Sequence, residues 1–206
     1  MQKETKLLPP MQPTEHQNTK PKFTRDLIYL IVIALLIGAC GQFYYTYHYK
    51  PQVARSVAVY YNQDHKVNTE VTRTIQEADK FVYFAIYTFT REDIRDALLG
   101  AKHRGLEVRG IMDKKQSEGL ADQRAIVREL REAGIEIVLN DHNYIMHLKT
   151  LVTDKGYVSG SYNWTASGTN LNDEIIEVGK DEDIRKQYEQ TIKSIINRYQ
   201  AKVTQK

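Results

Sequence analysis

The sequence predicts an α/β fold: a layered sandwich with a central mixed β-sheet flanked by helices, preceded by an N-terminal transmembrane or signal segment. Two observations carry this. From about residue 52 onward, short runs rich in Val, Ile, Tyr and Phe alternate with segments of helical apolar periodicity, the pattern of a sheet covered by helices. Ahead of them lies an unbroken apolar run with no polar face at helical spacing, which argues against a core helix.

Residues 1–25 hold four of the five prolines among Gln, Thr and Lys. That composition buries too little to order itself, so a disordered polar leader is expected. Leu27 to Ala39, "LIYLIVIALLIGA", is thirteen apolar or aromatic residues long. Extended to Tyr45 the run spans about 19 residues, close to the ~20 that a bilayer requires. Residues 26–47 are therefore expected to be a transmembrane anchor or signal segment, with Tyr44, Tyr45 and Tyr47 at the level of an aromatic belt. Lys3, Lys6, Lys20, Lys22 and Arg25 precede the run, which keeps the N-terminus in the cytoplasm and exports the rest. Two processing readings compete with a retained anchor. A cleaved signal peptide is one, although the leader is long for its charged region. A lipoprotein signal is the other, since "IGAC" ending at Cys40 resembles a bacterial lipobox.

The remaining elements follow in order. "SVAVYY" (56–61) predicts a short strand, residues 68–80 a helix, and "FVYFAIYTF" (81–89) a long strand. Residues 91–105 predict an amphipathic helix, with Ile94, Ala97, Leu98 and Ala101 on one face and Gly105 as its stop. A strand over 106–112, a helix over 119–133 stopped by Gly134, and a strand over 135–140 come next. "EIIEV" (174–178) predicts another strand, and a last helix runs from about Asp181 to Gln200.

Charge and cysteine content exclude some classes. The net charge is +3, but residues 1–50 carry six Lys/Arg against three Asp/Glu, and residues 51–206 carry 23 of each. The globular part has no global positive field to attract nucleic acid, so polyanion binding needs a local cluster. Cys40 is the single cysteine, which rules out an internal disulfide framework or a Cys-based zinc site.

The most unusual stretch is "HLKTLVTDKGYVSGSYNWT", His147 to Thr165. His147 and Lys149 are two apart, as are Ser161 and Asn163, so on strands each pair shares a face. "DKG" between "LVT" and "YVS" is a turn signal. A hairpin with Asp154, Lys155 and Gly156 at its tip brings the two pairs together. An ammonium and an amide then offer donors to phosphate oxygens, and an imidazole offers a nucleophile or acid–base group. This suits phosphoryl transfer without a metal.

H-x-K-x4-D followed by G-S-x-N resembles the signature of the phospholipase D superfamily, filled by His147, Lys149, Asp154, Gly160, Ser161 and Asn163. "FAIYTFTREDIRDALLGAKHRGLEVRGIMDKKQ" resembles the first half of its small bacterial endonucleases, and Glu174 falls where that group has a Glu. One departure is that five residues, not the usual six, separate Asp154 from Gly160, which puts the role of Asp154 in doubt. The resemblance makes residues 52–206 the catalytic domain, and the charge bias ahead of the apolar run is expected to place it, exported or membrane-anchored, at the bacterial periplasm or cell exterior. Its single motif implies a homodimer with the site on the two-fold axis, since one histidine cannot serve both sides of an in-line displacement. One His147 then forms a phosphohistidine and the other protonates the leaving oxygen. Lys149 and Asn163 hold the non-bridging oxygens, Glu174 bonds the far nitrogen of His147, and Ser161 supports that network. No cofactor and no metal are expected.

The substrate is nucleic acid, DNA or RNA, in the leading reading. A membrane-tethered phospholipase D or cardiolipin hydrolase acting on phospholipid is the alternative, and a non-catalytic binding module is the second. The mitochondrial relatives of the group carry a Cys-rich zinc insert that one cysteine cannot supply. Lys114 and Lys115 are substrate-binding candidates at a phosphate entrance, against simple exposure. His142 reads as a solvated loop residue and His103 as a favourable charge at a helix C-terminus. One of Tyr162 and Trp164 is expected to pack beneath the motif, with base stacking the alternative for the other.

Overall fold

The computed structural model describes residues 23–49, 57–64 and 66–204. The expected leader therefore lies almost wholly outside the described residues, as does Ser56. The chain divides into two units, Met1–Gln52 and Val53–Lys206. In the first, α1 (Phe23–Tyr49) is one continuous helix, and its Thr24–His48 stretch is long and apolar enough to cross a membrane, with a mean hydropathy of 2.2. Its side chains from Thr24 to His48 are all exposed.

The second unit is a mixed seven-stranded sheet in the order β1-β7-β6-β5-β2-β3-β4. The strands are β1 (Val57–Tyr61), β2 (Phe81–Ile86), β3 (Glu107–Met112), β4 (Glu136–Leu139), β5 (Lys149–Thr153), β6 (Tyr157–Gly160) and β7 (Ile175–Gly179). β2, β3 and β4 run parallel, and the other pairings are antiparallel. Parallel neighbours need crossovers, and α3 (Glu92–His103) and α5 (Ala121–Glu132) supply them. The remaining helices are α2 (Val67–Gln76), α4 (Lys114–Gly119), α6 (Ala166–Asn170) and α7 (Glu182–Thr204).

The centre of the sheet is buried on both faces, and β2 displays this through its alternation. Val82, Phe84 and Ile86 join a core with α2, α3 and α5, while Tyr83 and Ala85 join a second core under α7. The second core takes Ile192, Ile196 and Tyr199 from α7, a helical spacing that lays one stripe along the sheet. Each fully buried large apolar side chain contributes roughly 1.5–3 kcal/mol. Gly105 and Gly134 sit at φ 86° and 77°, the left-handed conformation that ends α3 and α5 at the expected stops.

Several expectations are corrected. The run over 81–89 leaves the sheet after Ile86, and only Phe89 returns, as an isolated bridge to Trp164. The helix expected over 119–133 is α5, but a separate short helix, α4, precedes it. Asp113 caps α4 by accepting from Gln116 N–H at 2.9 Å, and Leu120 is extended and separates α4 from α5. The short helix α6 was not expected at all.

Candidate active site

β5 is the middle strand of the sheet, between β2 and β6, and all five of its residues are buried. In the β5–β6 hairpin Thr150 lies opposite Ser159, with their hydroxyls 3.2 Å apart. That register carries His147 and Lys149 to the same end of the sheet as Ser161 and Asn163, as the sequence spacing requires. Gly160 is needed there because a Cβ would run into the Ile175 carbonyl of β7.

The side chains divide by exposure. His147 is exposed, and its ring centroid lies 4.9 Å from that of Tyr87. Lys149 is only 7% exposed. Its Nζ donates to the His147 carbonyl at 3.0 Å and lies 5.3 Å from the Tyr87 ring centroid. Burial pushes its pKa below the ordinary value, and the Glu174 carboxylate pulls it back up. Asn163 Oδ1 accepts from Thr88 N–H at 3.3 Å, which leaves Nδ2 as a donor. Ser161 Oγ donates to Glu174 Oε2, and Asn172 Nδ2 donates to Oε1 at 3.2 Å. Glu174 is 7% exposed, so its charge acts through little water.

Two expectations about roles change. Glu174 bonds Ser161 and Asn172 within the chain, not His147. Asp154 does not join the others: it lies beyond the opposite end of β5, about 17 Å away at ~3.4 Å per residue. There its Oδ1 accepts from Asp79 and Lys80 N–H, both at 3.0 Å. It therefore ties the hairpin tip to the start of β2. Lys114 is exposed, with Glu118 at 3.8 Å, and Lys115 Nζ donates to Asn143 O at 3.2 Å in the segment leading to His147. His142 is half-buried, 5.7 Å from the Tyr199 ring, and not simply solvated. Tyr162 and Trp164 are both buried in the same core, because residues two apart share a face.

Sequence reasoning missed Tyr87, which touches both His147 and Lys149. Its hydroxyl accepts from Gln116 Nε2 at 3.0 Å, and its carbonyl accepts from the buried Gln123 at 3.3 Å. It missed Asp113 as well, whose Oδ2 accepts from Met146 N–H at 2.9 Å and fixes the approach to His147. The one available signal was an acidic residue directly before a helix, an N-cap position.

A model of the family described as cardiolipin synthase, PLD-like domain, matches residues 71–196. A phospholipase D of Rickettsia conorii is 28% identical over 119 residues, 57% of this chain and 58% of that one. A mitochondrial cardiolipin hydrolase of Chlamydomonas reinhardtii is 30% identical over 105 residues, 50% of this chain and 46% of the other. The chain thus spans about half the length of the curated relatives it matches. Nuc of Salmonella typhimurium, a phospholipase D family member, has a fold similar to this one. The match has a TM-score of 0.63 and 25% identity, over 68% of this chain and 92% of that one. NucT from Helicobacter pylori shares the fold, with a TM-score of 0.60 and 21% identity over 71% of this chain and 96% of that one. With both halves of the motif at one end of the shared sheet, and the family match covering more than half its length, the chain belongs to the phospholipase D-like domain family.

Proposed function

We propose that the protein is a metal-independent phosphodiesterase that cleaves nucleic acid in a site shared by two copies. The observation that carries this reading is the pairing of an exposed imidazole with a buried ammonium, beside an amide with a spare donor. A His147 ring nitrogen bonds to phosphorus as the bond to the leaving oxygen breaks. The partner copy's ring, protonated, passes its proton to that oxygen. Water then displaces the phosphate from the first ring and gives its own proton to the second. Lys149 and Asn163 hold the non-bridging oxygens where charge develops. The shared site is supported by apolar side chains left in water on its own segments: Leu148 is 40% exposed, Ile175 50% and Leu171 82%.

A nucleic-acid substrate is favoured by the resemblance to small bacterial endonucleases and by Lys114 and Lys115 on the helix whose Gln116 reaches Tyr87. Phospholipid is the second reading, favoured by the apolar helix α1 and by relatives named phospholipase D and cardiolipin hydrolase. The deciding experiment gives the purified protein plasmid DNA, RNA and phospholipid vesicles in parallel, with and without EDTA. Nucleic acid should be cut equally well under chelation, and His147→Ala should be folded and inactive. Hydrolysis of vesicle lipid with DNA and RNA left intact at low salt promotes the lipid reading. Loss of activity on chelation, restored by a divalent ion, overturns the histidine mechanism. A fully active monomer in sedimentation overturns the shared site.

A further inference from the structure

The turn that carries Glu174 is held by residues outside the family match, which begins at residue 71. Asn62, directly after β1, is 1% exposed. Its backbone N–H donates to Glu174 O at 3.0 Å, and its Oδ1 accepts from Glu174 N–H at 3.2 Å. Its Nδ2 donates to Asn172 O. One rung earlier, Tyr61 pairs with Ile175 in the ladder, and its hydroxyl donates to Asp173 Oδ1. Asn172 in turn donates to Glu174 Oε1, and Ser161 to Oε2. The orientation of the carboxylate is thus set by a relay from Asn62 through Asn172 to Glu174 and Ser161.

We propose that Asn62 is a positioning residue of the active site: by holding the Asn172–Glu174 turn it aims the Glu174 carboxylate at Ser161 and keeps it within electrostatic reach of Lys149. The catalytic consequence rests on the phosphodiesterase reading, and the geometry rests on the hydrogen bonds alone. A strand end needs only ladder bonds. Here both halves of a buried side-chain amide are used as well, on two residues of one turn. Three groups face Lys149: Glu174 across the site, the Tyr87 ring from the end of β2, and His147 from its own segment. Glu174 is the negative charge among them, so displacing it weakens the hold of Lys149 on its proton.

The test uses the full chain in detergent micelles with bis(p-nitrophenyl) phosphate as a generic diester. Asn62→Ala should lower kcat by about 10- to 100-fold, the range for groups that orient a reacting layer, with KM little changed. In a double-mutant cycle with Glu174→Gln the losses should not multiply, because both changes act through one carboxylate. Fully multiplicative losses overturn the proposal. A second readout needs no activity. The reactivity of the Lys149 amine toward acetic anhydride, followed against pH by mass spectrometry, should move to lower pH in Asn62→Ala as in Glu174→Gln. An unshifted profile in Asn62→Ala overturns the proposal. A shifted profile in a protein whose wild type hydrolyses no diester keeps the positioning role and overturns the phosphodiesterase reading. Should Asn62→Ala not fold, Tyr61→Phe removes only the hydroxyl on Asp173 and should give a smaller shift of the same sign. No shift there overturns the proposal.

Discussion

Lys149 is a cation held where water is scarce, and its pKa sits below the ordinary 10.5 because burial outweighs the pull of Glu174. If the ammonium holds phosphate oxygens, the rate falls as pH rises through that depressed value. The alkaline limb of the pH–rate profile should therefore begin below 10.5. Glu174→Gln should move it lower still. Lys149→Arg should abolish the limb, since a guanidinium keeps its proton, while the fixed fork costs rate. A limb unmoved by Glu174→Gln would show that another group titrates. His147, Lys149, Ser161 and Asn163 were legible in the sequence because strand periodicity and a turn signal leave little choice of where they go, whereas Glu174 was legible only through the family resemblance. Tyr87 was not, because one more aromatic at the end of "FVYFAIYTF" looks like another alternating strand position. Asn62 was illegible for a different reason: its partner Glu174 is 112 residues away.

At the scale of elements, the β5–β6 hairpin separates chemistry from anchoring. Its open end carries the reacting groups, and its tip carries Asp154, whose side chain is 10% exposed. Burial raises the pKa of that carboxyl, but the Lys80 and Asp79 N–H groups lower it more, for a net depression. The stability Asp154 contributes is thus present above the ordinary 3.8 and is lost as pH falls through the lower folded value. Asp154→Ala should cost about 1–3 kcal/mol for two charge-assisted bonds to backbone N–H groups. It should lower the melting temperature and leave kcat and KM of the folded protein unchanged. A large loss of kcat with unaltered melting would return Asp154 to the catalytic group. The helix starts show where element reading ran out. Asp113 caps a short helix ahead of the expected one, and Leu120, extended at φ −99° and ψ 121°, separates the two.

For the whole molecule, the proposed reading assigns catalysis to the globular unit and leaves the apolar helix separate from it. The globular unit holds both cores and every residue of the proposed site. Removing residues 1–50 should give a soluble protein with undiminished activity on free DNA. A cut after Asn62 should lose activity along with β1. On vesicles the shorter deletion should cost far more than on DNA if lipid is the substrate, because a tether raises effective concentration. Cleavage of DNA below saturation should fall with added salt, by a slope that counts local contacts from groups such as Lys114, Lys115 and Lys149. Activity on DNA lost with the first 50 residues would contradict the separation.

The pairing of β1 with β7 also sets an order of events during synthesis. Among the described strands β1 is the first to leave the ribosome, yet its partner β7 is the last. Until β7 emerges, β1 waits as an unpaired edge, and long-range pairing of this kind is slow and open to misassociation. The bonds from Asn62 to the Glu174 turn can form only at that closing step. A nascent chain therefore already contains its His147–Lys149 pair, but it has no settled Glu174 until the two ends of the domain meet.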